Sequence, residues 1–370
     1  MVESPTFLTF NSCSEDDERY CHLRIKLAQS SYRIHKWHSD WLARHDVGPA
    51  FSFSKSYSEN SLMLDLVLSA FGMLILCFAF CMAGASLQKR GGGTLTFLAL
   101  AVVTSGGAAY MLWIWDRPIL ARILPFSNAI ILGNWLPVAA AFFIGVCLKT
   151  ETIAYLRRVF FATALGCLCG FSLISPLLGD APECGILDQS GRIFEFQTTK
   201  QTCSAACAAG LLRLHGIDAT EEELAALCLT RSGTHWLGVF RGLKIKTAGT
   251  EWDVIVEEVT PNQLTCSENL PGVLALTFKP EAAENSMESG FGTEVGHTVV
   301  CLGTSQKSKT LEVFDPSPDY GFESWNDRIL EDVQTGILLR LVSRKGTPSP
   351  LHGIDTNRPS TWNDRRMASQ

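Results

Sequence analysis

The sequence predicts two structural classes in one chain: a multi-pass α-helical membrane region, then an α+β domain in which N-terminal helices pack on an antiparallel sheet. Three observations predict it. The chain has 370 residues, 46% of them hydrophobic, and the hydrophobic excess is gathered into four runs before residue 179. After that point polar and apolar residues alternate over roughly 160 positions, enough for a domain of its own. Within that second half, helical patterns come first and strand patterns follow.

The four runs are Ser61–Leu87, Thr94–Trp115, Phe126–Leu148 and Val159–Leu178. Each has about 20 residues or more with almost no charge, the length that crosses a hydrocarbon layer of roughly 30 Å at 1.5 Å per helical residue. Four in succession, separated by short charged loops, read as four transmembrane helices within residues 61–179 and imply a lipid bilayer as partner. Asp65 is the one carboxylate inside a run, one turn from its start, where it reaches the membrane interface. With no buried charge pair in prospect, the helices read as an anchor. The small residues Gly106, Gly107, Ala108 and Ala109 offer a surface for a docking partner.

Residues 1–60 are polar and mixed in charge, an extramembrane segment in which Trp37, Trp41 and Leu42 offer a weak amphipathic face. The first 25 residues include "SEDDERY" and lack an apolar core, so no cleavable signal peptide is expected. A net charge of −6 and the lack of a basic stripe with interleaved aromatics exclude nucleic acid as the main partner. Of the 13 cysteines, Cys77, Cys81, Cys147, Cys167 and Cys169 fall in the apolar runs, where cysteine behaves as a small apolar residue. There is no GxxxxGK[ST], GxSxG or HExxH, so no ATPase is expected, and no cofactor or metal is implied. Lys89, Arg90, Lys149, Arg157 and Arg158 flank one side of the four runs; Lys55, Arg117 and Arg122 flank the other. That asymmetry favours an extracytoplasmic second half.

The second half, residues 185–342, follows the linker "GDAPECGILDQSG". A short alanine-rich helix starts at Cys203. A second is expected at "DATEEELAALCL", where Thr220 and Glu223 have capping-box spacing, and a third at "THWLGVFRGLKI". Strands are expected at "WDVIVEEV", "GVLALTFK", "HTVVCLG", "TLEVFDPS" and "GILLRLV". Residues 343–370 are rich in proline and charge and read as a disordered tail.

A cysteine works as a nucleophile in its thiolate form, and a helix N-terminus favours negative charge. Cys203 has that place, and the small residues that follow let its helix lie close to a sheet. If the turn in "GHTVVCLGTSQKSKTLEVFDPS" centres near Gln306–Lys307, antiparallel register sets His297 opposite residue 316 or 317, beside Asp315. A histidine there can take the thiol proton, and the aspartate can fix its tautomer. The amide of Gln197 can serve an oxyanion. Cys207 and Cys228 fall on apolar helix faces as core residues, His215 and His235 flank helix ends as caps or surface residues, and Trp325 packs over the sheet.

With Gln, Cys, His and Asp in this order, residues 192–342 resemble the C39 peptidase family, papain-like domains that remove leader peptides from secreted peptides. The resemblance is carried by "QTTKQTCSAACAAGLLRLHG", "GHTVVCL" and "VFDPS". It implies a papain-like α+β fold, cysteine peptidase activity, a peptide or protein substrate such as one bearing a leader, and catalytic positions at Gln197, Cys203, His297 and Asp315. Family members are commonly fused to an ABC-type exporter, so a separate exporter is an implied partner. The chain departs by having Ser204 where glycine commonly follows the nucleophile, and by carrying four membrane runs and no ATPase. Two alternatives stay open: a non-catalytic C39-like module that docks a peptide for an exporter, and a papain-like acyl or amide transferase.

Overall fold

The computed structural model describes residues 59–90, 92–185, 192–260, 263–264, 270–279, 296–305 and 310–345. The polar N-terminal segment with Trp37, Trp41 and Leu42, the turn at Gln306–Lys307 and the tail from residue 346 lie outside the described residues.

The first half forms α1 (Glu59–Arg90), α2 (Gly92–Trp113), two short helices α3 (Ile119–Ile123) and α4 (Ala129–Leu132), α5 (Leu136–Lys149) and α6 (Tyr155–Ile174). Four stretches are long and apolar enough to cross a membrane: Leu64–Arg90, Gly93–Trp113, Ala129–Lys149 and Tyr155–Leu177. They coincide with the four apolar runs, with two differences. The third is interrupted at Gly133–Trp135, ahead of Pro137 in the first turn of α5, where a missing N–H costs nothing. Polar groups hold that break: Asn134 Nδ2 donates to Ser172 O at 3.0 Å and to Ser172 Oγ at 2.7 Å, and the Tyr110 hydroxyl donates to the Gly133 carbonyl. The fourth helix starts at Tyr155 rather than Val159, with Arg157 and Arg158 in its first turn.

α5 packs closely against α1 and also against α6. A Cβ on Gly145 would collide with the Cys81 carbonyl, and one on Gly84 with the Phe142 carbonyl, so these two glycines let α1 and α5 cross backbone to backbone. Gly106 and Gly107 have no such neighbour. They line one wall of an apolar groove of about 250 Å³ between α1, α2 and α5.

The second half forms α7 (Cys203–Leu214), α8 (Glu221–Leu227), α9 (Trp236–Lys246), β1 (Trp252–Val259), β2 (Gly272–Phe278), β3 (Gly296–Ser305), β4 (Thr310–Asp315), β5 (Gly321–Trp325), α10 (Asp327–Glu331) and β6 (Val333–Ser343). The sheet runs β1-β6-β2-β3-β4-β5 with every pair antiparallel. The three expected helices and five expected strands are all present. β5 and α10 were not expected, because "GFESW" is half polar and sits at the sheet edge, where one side of the strand needs no partner.

The helices cover one face of the sheet. Ala205, Ala208, Leu212, Val239 and Phe240 pack there on Val273, Val300 and Phe314. A second apolar layer on Leu274, Val299, Cys301 and Leu338 fills the other face and takes in Trp325, 4% exposed, as a core residue. Thr220 Oγ1 accepts the Glu223 N–H at 3.1 Å, half of the expected capping box; the Glu223 carboxylate goes to Lys246 Nζ instead. Cys207 and Cys228 are buried in the helix layer, and His235 caps α9 by accepting the Leu237 N–H at Nδ1.

The two halves share an apolar core. Leu120 and Ala121 of α3 and Ala129 of α4 belong to the same apolar cluster as α7 and α9. Asp65 does not simply turn to the interface. It forms a bidentate pair with Arg241 of α9, whose side chain is 1% exposed, and Asn128 Oδ1 accepts from the same guanidinium at 2.6 Å. Asp116, between the second and third membrane stretches, accepts from Trp236 Nε1 at 2.6 Å and from His235 Nε2 at 2.9 Å. Polar pairs with this geometry fix one docking arrangement, since a misplaced buried guanidinium would go unpaired.

Candidate active site

The start of α7 is built for close approach. Ser204, Ala205, Ala206, Ala208 and Ala209 are all buried, and such small side chains let the helix lie against β3 and β2. Cys203 is its first residue and stays half-buried. The side chain of Thr202 makes no capping bond to the helix. It closes the preceding turn instead, donating to Thr199 O at 2.9 Å and accepting the Thr199 N–H at 3.3 Å. The first N–H groups of α7, next to Cys203, therefore have no side-chain cap.

Gln197 lies on the strap that leads into this turn, and the strap is tied at several points. The Gln197 N–H donates to Pro316 O at 2.7 Å, just past the end of β4. Thr198 donates from N–H and from Oγ1 to Glu221 Oε1, at 2.8 and 3.2 Å. Phe194 and Phe196 pack on Phe314 with ring centroids 5.1 and 5.7 Å apart. Gln197 Oε1 is buried with no hydrogen-bond partner among the described residues.

His297 lies at the start of β3, paired with Leu276 of β2, and Asp315 ends β4. Val300 stands opposite Phe314, and continuing that register sets His297 opposite Ser317, as the spacing in the sequence predicts. His297 Nε2 and Asp315 Oδ2 are 2.7 Å apart, with side chains 11% and 5% exposed. Asp315 Oδ1 accepts the Ser317 N–H at 2.8 Å, so both carboxylate oxygens are engaged. With Nε2 engaged, Nδ1 is the ring nitrogen left to face the Cys203 thiol, with which His297 shares a side-chain hydrogen bond.

Electrostatics singles out one thiol. Burial pushes the Cys203 thiol up, but the hydrogen bond and charge of His297, with hydrogen bonds from Ser204 and Thr298, outweigh it and hold the thiol below its ordinary value. Burial works against the His297 cation too, yet the bonds and charges of Asp315 and Cys203 raise its pKa well above the usual imidazole value. In the same domain burial raises the thiols of Cys184, Cys207 and Cys301, and pushes Cys228 up to about 12. A thiolate next to an imidazolium is the reactive form of a cysteine, whereas the buried thiols are inert.

Cys203, His297 and Asp315 thus come together, and Gln197 is tied by its backbone to the loop that follows Asp315. The sequence did not point to Glu221, which appears there only as one of three glutamates opening α8. Its signal was the buried side of the α8 pattern. Ser204 is 2% exposed, and its hydroxyl meets Thr298 Oγ1 of the sheet at 2.7 Å. Among the described residues no group of three or more His, Cys, Asp and Glu side chains is arranged to hold a metal.

No protein-family model matches the chain, and no curated protein matches it. Among solved structures the chain is similar to the peptidase domain of Streptococcus ComA, a bi-functional ABC transporter involved in a quorum sensing pathway: 18% identity, 40% of this chain and 97% of that one covered, TM-score 0.32. It is similar to a double glycine motif protease from an AMS/PCAT transporter in complex with the leader peptide, at 17% identity over 45% of this chain and 94% of that one, TM-score 0.29. It is also similar to the peptidase domain of Streptococcus mutans ComA, at 18% identity over 40% and 98%, TM-score 0.25.

Proposed function

We propose that the protein is a membrane-anchored cysteine endopeptidase with Cys203 as nucleophile. The observation that carries this reading is the chain of contacts from the Cys203 thiol through His297 to Asp315, with Nε2 to Oδ2 at 2.7 Å and, at its head, the one lowered thiol among the described residues of the domain. The thiolate attacks a peptide carbonyl carbon to form a tetrahedral oxyanion. The Gln197 amide and the uncapped N–H groups at the start of α7 donate to that oxyanion. His297 holds the thiol proton and passes it to the leaving amine, giving a thioester on Cys203. It then takes a proton from water, which attacks the thioester and releases the acid. Asp315 keeps the imidazole oriented and stabilises its cation. A peptide substrate bearing a leader, and a separate exporter that receives the product, rest on the C39 resemblance of the sequence.

Docking puts Asp65, the stretch between the second and third membrane helices, and the helix-and-sheet domain on one side of the bilayer. Lys89, Arg90, Lys149, Arg157 and Arg158 fall on the other, which supports an extracytoplasmic catalytic domain. A module that only held a peptide would have no use for a thiol with a lowered pKa beside a His–Asp pair.

Full-length protein in lipid nanodiscs, incubated with a mixed peptide library and read by mass spectrometry, tests the reading. Hydrolysed products are expected from the wild type and absent with Cys203→Ala and His297→Ala. Cleavage that survives Cys203→Ala overturns it, and products that need an added amine in place of water turn it into a transferase.

A further inference from the structure

Cys203 and His297 are each followed by a hydroxyl residue, and these two hydroxyls meet. Ser204 Oγ and Thr298 Oγ1 are 2.7 Å apart, in residues 2% and 3% exposed. Ser204 belongs to the first turn of α7 and Thr298 to β3, so the bond joins the two elements of the site one residue beyond each reacting group. One turn further on, Cys207 Sγ donates to the Thr298 carbonyl at 3.3 Å. Cys203 Sγ lies 4.0 Å from Ser204 Oγ.

Packing alone does not call for this arrangement. The neighbouring contacts of α7 are made by alanines, and an apolar pair at these two positions would avoid the desolvation of two hydroxyls. A face of alanines gives a helix close approach but little resistance to sliding or rotation. A short hydrogen bond is directional and fixes both. Thiol and imidazole must meet within a few tenths of an ångström for proton transfer, and a shift of 1 Å is costly to the reaction. Where the resemblance of the sequence would place glycine after the nucleophile, no such bond can form.

We propose that Ser204 and Thr298 are positioning residues: their hydrogen bond sets the distance and angle of the Cys203 thiol against His297, and so the fraction of thiolate. This rests on the cysteine-peptidase reading and names residues that the resemblance does not. The contribution of both hydroxyls to lowering the Cys203 thiol agrees with it.

The test is the alkylation rate of Cys203 by iodoacetamide against pH, in full-length protein in nanodiscs, read on the Cys203 peptide by mass spectrometry. The variants are Ser204→Ala, Ser204→Gly, Thr298→Val, Thr298→Ser and Ser204→Ala with Thr298→Val. The wild type is expected to label well below the ordinary thiol range of about 8.5. Loss of either hydroxyl is expected to slow labelling at pH 6 by about threefold to tenfold. Thr298→Ser is expected to label as the wild type does, and the double variant no more slowly than the slower single, because the two groups act as one pair. Should Ser204→Ala fail to fold, the Val and Ser variants at 298 decide, since Val keeps the shape of Thr. Unchanged profiles in folded Ser204→Ala and Thr298→Val overturn the proposal while leaving the peptidase reading standing. A wild-type Cys203 that labels no faster at pH 6 than an ordinary thiol overturns both.

Discussion

Arg241 on α9 grips Asp65 on α1 through two parallel bonds, Nη1 to Oδ2 at 2.8 Å and Nη2 to Oδ1 at 2.9 Å, across 176 positions of sequence. The cation is the buried partner, at 1% exposure against 30% for the carboxylate. The two ends of the pair therefore differ in what their loss leaves behind. Asp65→Ala leaves a buried guanidinium without its counter-charge and is expected to lower stability by about 3 kcal/mol. Arg241→Met leaves a carboxylate with access to solvent and is expected to cost less. Thermal unfolding of the two variants in the same detergent checks the order, and an equal or reversed cost would mean the pair does not hold the halves together.

Sharing of the core extends this to whole elements. Leu120, Ala121 and Ala129 sit in the same cluster as Leu237, Val239 and Phe240 of α9. A fragment of residues 185–345 would leave that face of α9 in water and take Asp65 and Asn128 away from Arg241. It is expected to melt at a lower temperature than the full chain and to bind a hydrophobic dye that the full chain excludes. A fragment that melts as the full chain does would restore the picture of a detachable anchor.

The pattern of the sequence carried the elements well and their association poorly. Four apolar runs and five strands are local signals, each read from period and length. The His297–Asp315 pair was legible for a related reason, since the β3–β4 hairpin sets the start of one strand beside the end of the other, even with a bulge between Cys301 and Gly303. Asp65 misled because hydropathy sees a single carboxylate near a helix end, whereas its partner stands on a helix that reads as ordinary amphipathic surface. The break at Gly133 was missed, although "GNWLP" puts a glycine and a proline inside an apolar run. β5 stayed hidden because an edge strand carries few buried positions, here Gly321 and Trp325.

The linked pKa values of the site give a signed dependence of stability on pH. His297 is raised in the folded chain, so it binds more protons folded than unfolded between its unfolded value near 6.5 and its folded value. Its contribution is complete below about 6.5 and is lost as pH rises through the folded pKa. The stability difference between wild type and His297→Gln is therefore expected to be largest below pH 6 and to shrink in alkaline buffer. Cys203, lowered on folding, works in the opposite sense: its contribution is present above the unfolded thiol value and is lost as pH falls through the folded one. Cys203→Ser should accordingly differ most from the wild type at high pH. Urea unfolding at a series of pH values reads both, and a His297 difference that grows with pH would contradict the raised imidazole.

Glu221 links the stability of the strap to the chemistry. It is 7% exposed, and its Oε1 takes both the N–H and the hydroxyl of Thr198, the residue after Gln197. Glu221→Gln keeps an oxygen at that place and is expected to preserve the bonds. Glu221→Ala leaves a half-buried N–H without its acceptor, a loss of about 1–3 kcal/mol, and frees the strap that holds Gln197. If the Gln197 amide serves the oxyanion, turnover falls while substrate affinity does not, because the oxyanion exists only along the reaction path. The expected result is a kcat lowered about tenfold or more by Glu221→Ala, with KM little changed and near-normal kcat in Glu221→Gln. A rise in KM alone would assign Glu221 to holding substrate rather than to holding Gln197.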